Sequence, residues 1–336
     1  MSITGNSTTA MFLIVKKRNG AETMHKKVVV IGGGHGQAAI CRGIKRIPNI
    51  DIAAVVTVAD DGGSTGRLRR QFNIPAMGDI RNVMISLARS ETLMTDLMNY
   101  RFDDPDGSGY DIAGHNLGNL ILTAMTQQCG SFFDAIQKIG KVLNVTGEII
   151  PATTQVISLY AFMEDDTIVK GEANIPDRSN HIKKVFYDTQ VSAAPEAVKA
   201  VEEADLIIYG IGSVYTSILP NIIIPDIQSA LMRTKAQRVY FCNAMTQPGE
   251  TDGYCLEDHV RALEDHGAPV DKVIAALEEI PSEIVIKYAK EGSTPVCISE
   301  KTHDYEILQV PLLGFEGGLV RHDSAKIADA VERLLK

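Results

Sequence analysis

The sequence predicts an α/β fold: a doubly wound, Rossmann-like parallel sheet with helical and antiparallel hairpin insertions. Three observations predict it. Short β-branched apolar runs recur along the chain, as in "KKVVVIG", "DIAAVVTVA" (51–59), "ADLIIYG" (204–210), "RVYFCNA" (238–244) and "KVIAAL" (272–277). Continuous apolar runs of that length suit parallel strands buried on both faces. Several run directly into glycine or small polar residues and then into helical periodicity, which is the rhythm of βαβ units. The third observation is one region, 145–187, that breaks the rhythm.

"KKVVVIGGGHGQAAICRGIKRI" reads as strand, tight glycine turn and helix, and "DIAAVVTVA" as the next strand. The handedness rule makes the crossover between them right-handed. Residues 79–141 are helical by pattern, broken at 103–109 and near Gly130. "QVISLYAFMEDDTIVKGEANI" alternates and carries Asp165-Asp166 at a turn, so it reads as a hairpin added antiparallel to the main sheet. The strand–turn–helix rhythm then returns, and "SAKIADAVERLLK" closes the chain as an amphipathic helix.

Neither an internal repeat nor a low-complexity linker interrupts the 336 residues. One nucleotide-binding domain over 26–336 is therefore expected, behind an N-terminal extension at 1–25. Met24 stands just before the first strand, so the preceding residues read as dispensable or as the product of an upstream start. "MFLIV" at 11–15 is too short for a signal-peptide core. No run reaches the roughly 18 apolar residues of a membrane helix, so no membrane insertion is expected.

The formal net charge is -9, with 33 basic and 42 acidic residues. Such a balance, without a basic tract, argues against nucleic acid as a partner. Cys41, Cys129, Cys242, Cys255 and Cys297 are odd in number and form no CxxC pair. They read as reduced thiols of a cytoplasmic protein. Cys242, Cys255, His259 and His266 fit no usual zinc spacing.

Ligands of open α/β sheets bind beyond the carboxyl ends of the strands, and the informative residues cluster there. "IGGGHGQAA" offers Gly32, Gly33, Gly34, His35 and Gly36 before a helix whose N-terminus suits an anion. Gly34-x-Gly36-x-x-Ala39 matches the dinucleotide fingerprint; a plain tight turn is the alternative. "ADDGGSTGRLR" places Asp60 and Asp61 before Gly62, Gly63, Ser64 and Arg67. The carboxylates suit a sugar hydroxyl or Mg²⁺, and the arginine a diphosphate; alternatively Asp60 caps the next helix and the arginines are a solvated face. In "PAMGDIRNV", Gly78 precedes Asp79, read as the N-cap of a helix beginning at Ile80. Arg81 and Asn82 fall in its first turn, where a lodged anion or a salt bridge would explain the cation. His115, Asn116 and Asn119 open an apolar helix and satisfy either one another or a ligand. "YGIGSVYTSILPN" repeats the first plan, with Gly210, Gly212, Ser213, Thr216 and Ser217 as a second phosphate cradle. "CNAMTQPGETDGY" brings Asn243, Thr246 and Thr251 to the same edge.

Taken together, "TVADDGGSTGRLR", "PAMGDIRNV", "GHNLGNL", "KVLNVTGEIIPAT", "GIGSVYTSILPN" and "NAMTQPGETDGY" resemble the YvcK family, the gluconeogenesis factors of the CofD-like superfamily. The resemblance covers 26–336. It implies a cytoplasmic protein that binds UDP-sugars of the UDP-N-acetylglucosamine type and is needed for cell shape and wall synthesis on gluconeogenic carbon sources. It implies a regulatory wall-synthesis protein as partner and leaves a homo-oligomer open. The CofD branch also contains a transferase that moves 2-phospholactate from a guanosine diphosphate carrier to a deazaflavin precursor. Two positions depart from the family pattern: His35 where threonine is usual, and Ile211 in "GIGS" where "GPGS" is common. Tyr288 is a candidate to stack on uracil, or packs its helix; Arg321 reaches a phosphate, or pairs with Asp323.

Three functions compete on this reading. The first is a non-catalytic UDP-sugar sensor with no obligatory cofactor. The second is a transferase using Mg²⁺ held by Asp60 and Asp61. The third is a nicotinamide-dependent oxidoreductase, which ranks last because the second strand ends in "ADDGGS" without a hydride-site acid or base.

Overall fold

The computed structural model describes residues 25–89, 93–103, 111–177, 180–299 and 303–336. Of the expected N-terminal extension only His25 falls within them.

β1 (Lys26–Gly32) is buried from Val28 onward, as its unbroken β-branched run requires. It leads into α1 (Gly34–Ile44) and β2 (Ile50–Val56). The helical stretch follows as α2 (Gly63–Phe72), α3 (Gly78–Leu87), α4 (Leu93–Asn99), α5 (Leu117–Cys129) and α6 (Phe132–Val142). Asn116 caps α5 by accepting from the Asn119 amide, and Ser131 caps α6 by accepting from that of Asp134. Gly130 ends α5 at φ 66°, which marks the expected break. β3 (Glu148–Pro151) then joins the sheet, and β4 (Leu159–Met163), β5 (Ile168–Lys170) and β6 (Ile182–Tyr187) form a separate unit. The return to α/β order brings α7 (Pro195–Glu202), β7 (Leu206–Tyr209), a single π turn at Val214–Ile218, α8 (Leu219–Ile222), α9 (Pro225–Arg233) and β8 (Gln237–Phe241). α10 (Leu256–Asp265), β9 (Lys272–Ala276), α11 (Ser282–Ala289), β10 (Glu306–Val310), a short antiparallel pair β11 (Leu313–Gly314) and β12 (Arg321–His322), and α12 (Ser324–Leu334) complete the chain.

The main sheet has seven strands in the order β10-β9-β8-β7-β1-β2-β3, all parallel. The chain advances from β1 to β3 in one direction and from β7 to β10 in the other. With right-handed crossovers, that reversal puts the two sets of helices on opposite faces. α1 packs with α3 and α12, and α7 packs with α9. The topological switch point, where a crevice must open, lies between β1 and β7.

Two expectations need correction. The hairpin forms, with Asp166 at φ 65° in its turn, but it does not extend the main sheet. β6 pairs with β4 on the other side, making an independent three-stranded sheet β5-β4-β6. The main sheet's edge beside β2 is taken instead by β3, whose register runs Ala53–Glu148 to Val56–Pro151. The thiols are not all reduced either: Cys255 and Cys297 are joined, their Cα atoms 4.8 Å apart and within the span a disulfide allows. Cys41, Cys129 and Cys242 are free. No helix among the described residues is long and apolar enough to cross a membrane.

The switch point closes by backbone contact. A β-carbon on Gly36 would stand 1.8 Å from the Ile211 carbonyl oxygen, so α1 can approach the loop after β7 only through glycine. Gly36→Ala is therefore expected to lose about 1–3 kcal/mol, the usual cost of overpacking, in urea denaturation. Gly314→Ala, where a β-carbon meets nothing within 4 Å, should leave the midpoint unchanged.

Candidate functional site

The loops after β1, β2, β7 and β8 converge at the switch point. Gly34 adopts φ +61° there, and the Thr57 amide donates to the Gly32 carbonyl at 2.9 Å, tying the first loop to the end of β2. Asn221 donates to the same carbonyl at 3.1 Å from the helix after β7. Buried Gln37 spans the strand ends, giving its amide hydrogens to Val30 and Val55 carbonyls at 2.9 Å each.

On one side of these loops runs a groove of about 880 Å³. His35, Gly36, Gly212, Asn243, Thr246, Tyr288 and Arg321 all line it, so residues spread over most of the chain meet as the sequence reading expects. Asn243 grips Gly212 twice: its amide donates to the Gly212 carbonyl at 2.8 Å, and its oxygen accepts from the Gly212 amide at 3.4 Å. Gly212 holds φ +139°, which a side chain would resist. Thr246 accepts from the Thr294 amide at 2.9 Å, and Ser293 donates to the Thr246 carbonyl at 2.6 Å. The Tyr288 hydroxyl accepts from the Val320 amide at 3.1 Å, fixing a half-buried ring on the groove wall. Exposed Arg321 does not pair with Asp323, whose carboxylate caps α12 through the Ala325 and Lys326 amides at 2.7 and 3.1 Å. His322 beside it is a lining residue that sequence reasoning missed; burial pushes its imidazole down to about 4, so it is neutral at pH 7.

On the other side of the first glycine loop the chemistry is acidic. The Asp79 carboxylate accepts from the Gly34 amide at the start of α1. It is not an N-cap of its own helix: α3 begins at Gly78 with Met77 as cap, which puts Asp79 in the first turn and frees it to reach Gly34. A β-carbon on Gly33 would stand 2.5 Å from Asp79 Oδ2, and one on Gly78 would stand 2.8 Å from Asp60 Oδ2. Burial first, and then the charge of Asp60, pushes the Asp79 carboxyl up to about 7. Burial also raises Asp60, which accepts from the Gly62 amide at 2.9 Å. Asp61 turns away to accept from the Ala173 amide at 3.0 Å, anchoring the turn after β5.

That turn carries a second missed residue. Burial, followed by the charges of Asp60, Asp79, Glu250 and Asp61, pushes Glu172 up to about 8. Glu250, a third, is 2 % exposed. It accepts from the hydroxyls of Ser213 and, at 3.2 Å, Thr216, and from the Gln247 amide at 2.9 Å. Burial pushes it up to about 7 against those hydroxyls. In the Gly210–Ser217 loop Ser213 also accepts from the Thr216 amide at 2.9 Å, and the hydroxyls read as a phosphate cradle face a carboxylate of the same chain. Ser217 packs under Gly212.

The remaining candidates form one polar web. Ser64 lies 3.0 Å from His115 Nδ1 and accepts from the Asn116 amide at 3.2 Å. Asn119 donates to Ser64 at 3.4 Å and to Thr65 at 3.3 Å. Arg81 gives one amino group to Asn119 at 3.1 Å and the other to Asn82 at 2.8 Å, leaving Nε buried without a partner. Of the two explanations for His115, Asn116 and Asn119, mutual satisfaction is the one the contacts carry. Gly63 sits at φ +44° at the head of α2. Arg67 is exposed and donates to the Ala113 carbonyl at 2.8 Å, outside the groove lining. Buried Arg69 braces the acidic loop from behind, donating to the carbonyls of Ala59 at 3.1 Å, Asp60 at 2.9 Å, and Ile157. Among the described residues, no three His, Cys, Asp or Glu side chains stand together as a preformed metal cage.

The sequence model of the CofD family, described as 2-phospho-L-lactate transferase CofD, matches residues 28–313. This chain belongs to the CofD family. It is 45% identical over 316 residues to the gluconeogenesis factor of Bacillus subtilis (strain 168), covering 92% of this chain and 98% of that one. It is 42% identical over 319 residues to the gluconeogenesis factor of Halalkalibacterium halodurans, covering 91% and 95%. A crystal structure of a Bacillus halodurans protein matches with a TM-score of 0.87 at 41% identity, covering 92% of this chain and 99% of that one. The matched CofD region holds both glycine loops, all five carboxylates and every strand of the main sheet; Arg321 and α12 lie beyond it.

The raised carboxyls set a direction for stability against pH. Asp79, Glu172 and Glu250 keep protons in the folded chain that the unfolded chain has released by about pH 5. Their contribution is full below the ordinary carboxylate range and is lost as pH rises through about 7 to 8. Unfolding free energy is expected to fall between roughly pH 5 and pH 8, and Asp79→Asn to flatten that fall. Denaturant titrations at several pH values check this; an unchanged slope would clear Asp79 of the role.

Proposed function

We propose that this protein binds a UDP-sugar of the UDP-N-acetylglucosamine type and acts as a gluconeogenesis factor that regulates wall synthesis and cell shape when carbon enters as gluconeogenic substrates. The observation that carries the reading is the groove at the switch point. Its volume of about 880 Å³ falls within the range of nucleotide-sized sites. Tyr288 offers a ring face to a base. Arg321 offers a fork to a diphosphate. Asn243, Thr246 and the Gly212 backbone supply neutral hydrogen bonds of the kind sugar hydroxyls require. The relatives named gluconeogenesis factors support the physiological role, and a regulatory protein partner in the cytoplasm belongs to the same proposal.

A second reading rests on the carboxylate side. There the protein is a transferase acting on a nucleotide diphosphate-linked donor, as the transferase name of the CofD family suggests. Asp60, Asp79 and Glu172 repel one another, and their hard oxygens fit Mg²⁺. Asp60 and Asp79 would hold the ion, Asp61 being committed to Ala173. The ion would supply charge neutralisation at the diphosphate. The chain's own part would be to orient the carboxylates through the Gly34 and Gly62 amides.

Isothermal titration of UDP-N-acetylglucosamine, UDP and GDP, with and without Mg²⁺, tests both. Arg321→Ala is expected to weaken the UDP-sugar by roughly 10- to 150-fold, the worth of a hydrogen bond to a charged group, with thermal stability unchanged. Recovery of the sugar nucleotide intact supports the binding protein. Mg²⁺-dependent consumption of a donor, or preference for GDP, moves the assignment to the transferase.

A further inference from the structure

Although the chain is acidic overall, one cavity collects cations. It measures about 740 Å³ and lies where the C-terminal turn of α1, the end of α3, and α4 meet. Arg42, Lys45, Arg46 and Arg89 line it, against a single carboxylate among the described residues, Asp96. Lys45 donates to the Ala88 carbonyl at 2.6 Å, and Arg89 Nε to Thr146 Oγ1 at 3.3 Å. Those bonds set two of the cations on the wall. Basic residues at the end of a helix are ordinarily explained by its dipole, and that accounts for the α1 residues alone. It does not account for Thr95.

Thr95 lines the same cavity from the first turn of α4 and is 7 % exposed, and its hydroxyl has no hydrogen-bond partner among the described residues. A buried hydroxyl left unpaired costs about 1–3 kcal/mol. An unpaired donor among cations is the arrangement an oxyanion would complete. The cavity also adjoins the strand-end groove, because Arg42 lines both. His35, Ala39 and Arg42 follow one helical stripe down α1, and Arg46 lies in the turn just past its end.

We propose that this cavity is a second anion site, which takes a small phosphorylated molecule bearing at least two phosphate groups. Arg46 and Arg89 would fork the phosphates from opposite walls, and the Thr95 hydroxyl would donate a hydrogen bond. A bounded cavity on an acidic protein suits a small ligand rather than a polyanionic surface.

Calorimetric titration of pyrophosphate and of inorganic phosphate into the full chain, at constant ionic strength, tests the site. Pyrophosphate is expected to bind, and the Arg46→Ser, Arg89→Ser double variant to weaken it by about tenfold or more. Thr95→Val, a near-isosteric change, should weaken it severalfold. Neither change should alter UDP-N-acetylglucosamine affinity, because none of these three residues lines the groove. Three results would overturn the proposal: no pyrophosphate binding, binding that survives both variants, or binding abolished by Arg321→Ala instead. Equal affinity for inorganic phosphate would overturn the requirement for two phosphates. Circular dichroism of the variants separates loss of binding from loss of fold.

Discussion

The approach of Gly36 to the Ile211 carbonyl is the contact on which the site depends. It sets α1 and the loop after β7 closer together than any side chain would allow. The reversal of strand order only requires a crevice somewhere between β1 and β7; this contact decides its shape. Because the two loops touch, the crevice divides. The groove with Tyr288 and Arg321 lies to one side and the carboxylates of Asp60, Asp79 and Glu172 to the other, with Glu250 at the boundary, bonded to Gln247 of the groove lining. Asn243 reinforces the division by holding Gly212 through two hydrogen bonds.

Both glycine loops have the form of anion cradles, and both are already filled by a carboxyl group of the chain itself. Asp79 occupies the start of α1 and Glu250 the hydroxyls of Ser213 and Thr216. A helix N-terminus and a pair of hydroxyls attract negative charge from any source. Burial makes both carboxyls reluctant to ionise, and at Asp79 the charge of Asp60 adds to it. The second of these loops leads straight into the π turn at Val214–Ile218, an irregularity in the helix that follows β7.

Much of this was legible in the sequence. Buried parallel strands announce themselves as β-branched runs. Glycines before helices mark strand ends, and the fold brings Tyr288 and Arg321, far from the glycine loops in the chain, to one groove with them. What escaped was set by distance. Glu172 follows a hairpin in "KGEAN", and nothing local says that it meets Asp60. Glu250 sits in "QPGET", which reads as a turn. The hairpin's alternation was plain, yet alternation does not name the strand beside it, and β6 rather than the main sheet took the place. Asp79 stands two residues past the cap, Met77, and its carboxylate meets the first glycine loop instead. The pairing of Cys255 with Cys297 likewise leaves no trace in their spacing.

That pairing bears on how the groove wall is put together. Cys255 stands at the head of α10, and Cys297 follows the segment whose Ser293 and Thr294 bond to Thr246. The bond spans a separation of 42 residues, and α10, β9 and α11 all lie inside the closed ring. Tyr288 rides on that ring. In the unfolded chain, the ends of this segment cannot drift apart, which removes much of the freedom that refolding must take away. Tyr288 is thus carried by a stretch of chain whose two ends stay tethered even when the rest of its packing is lost.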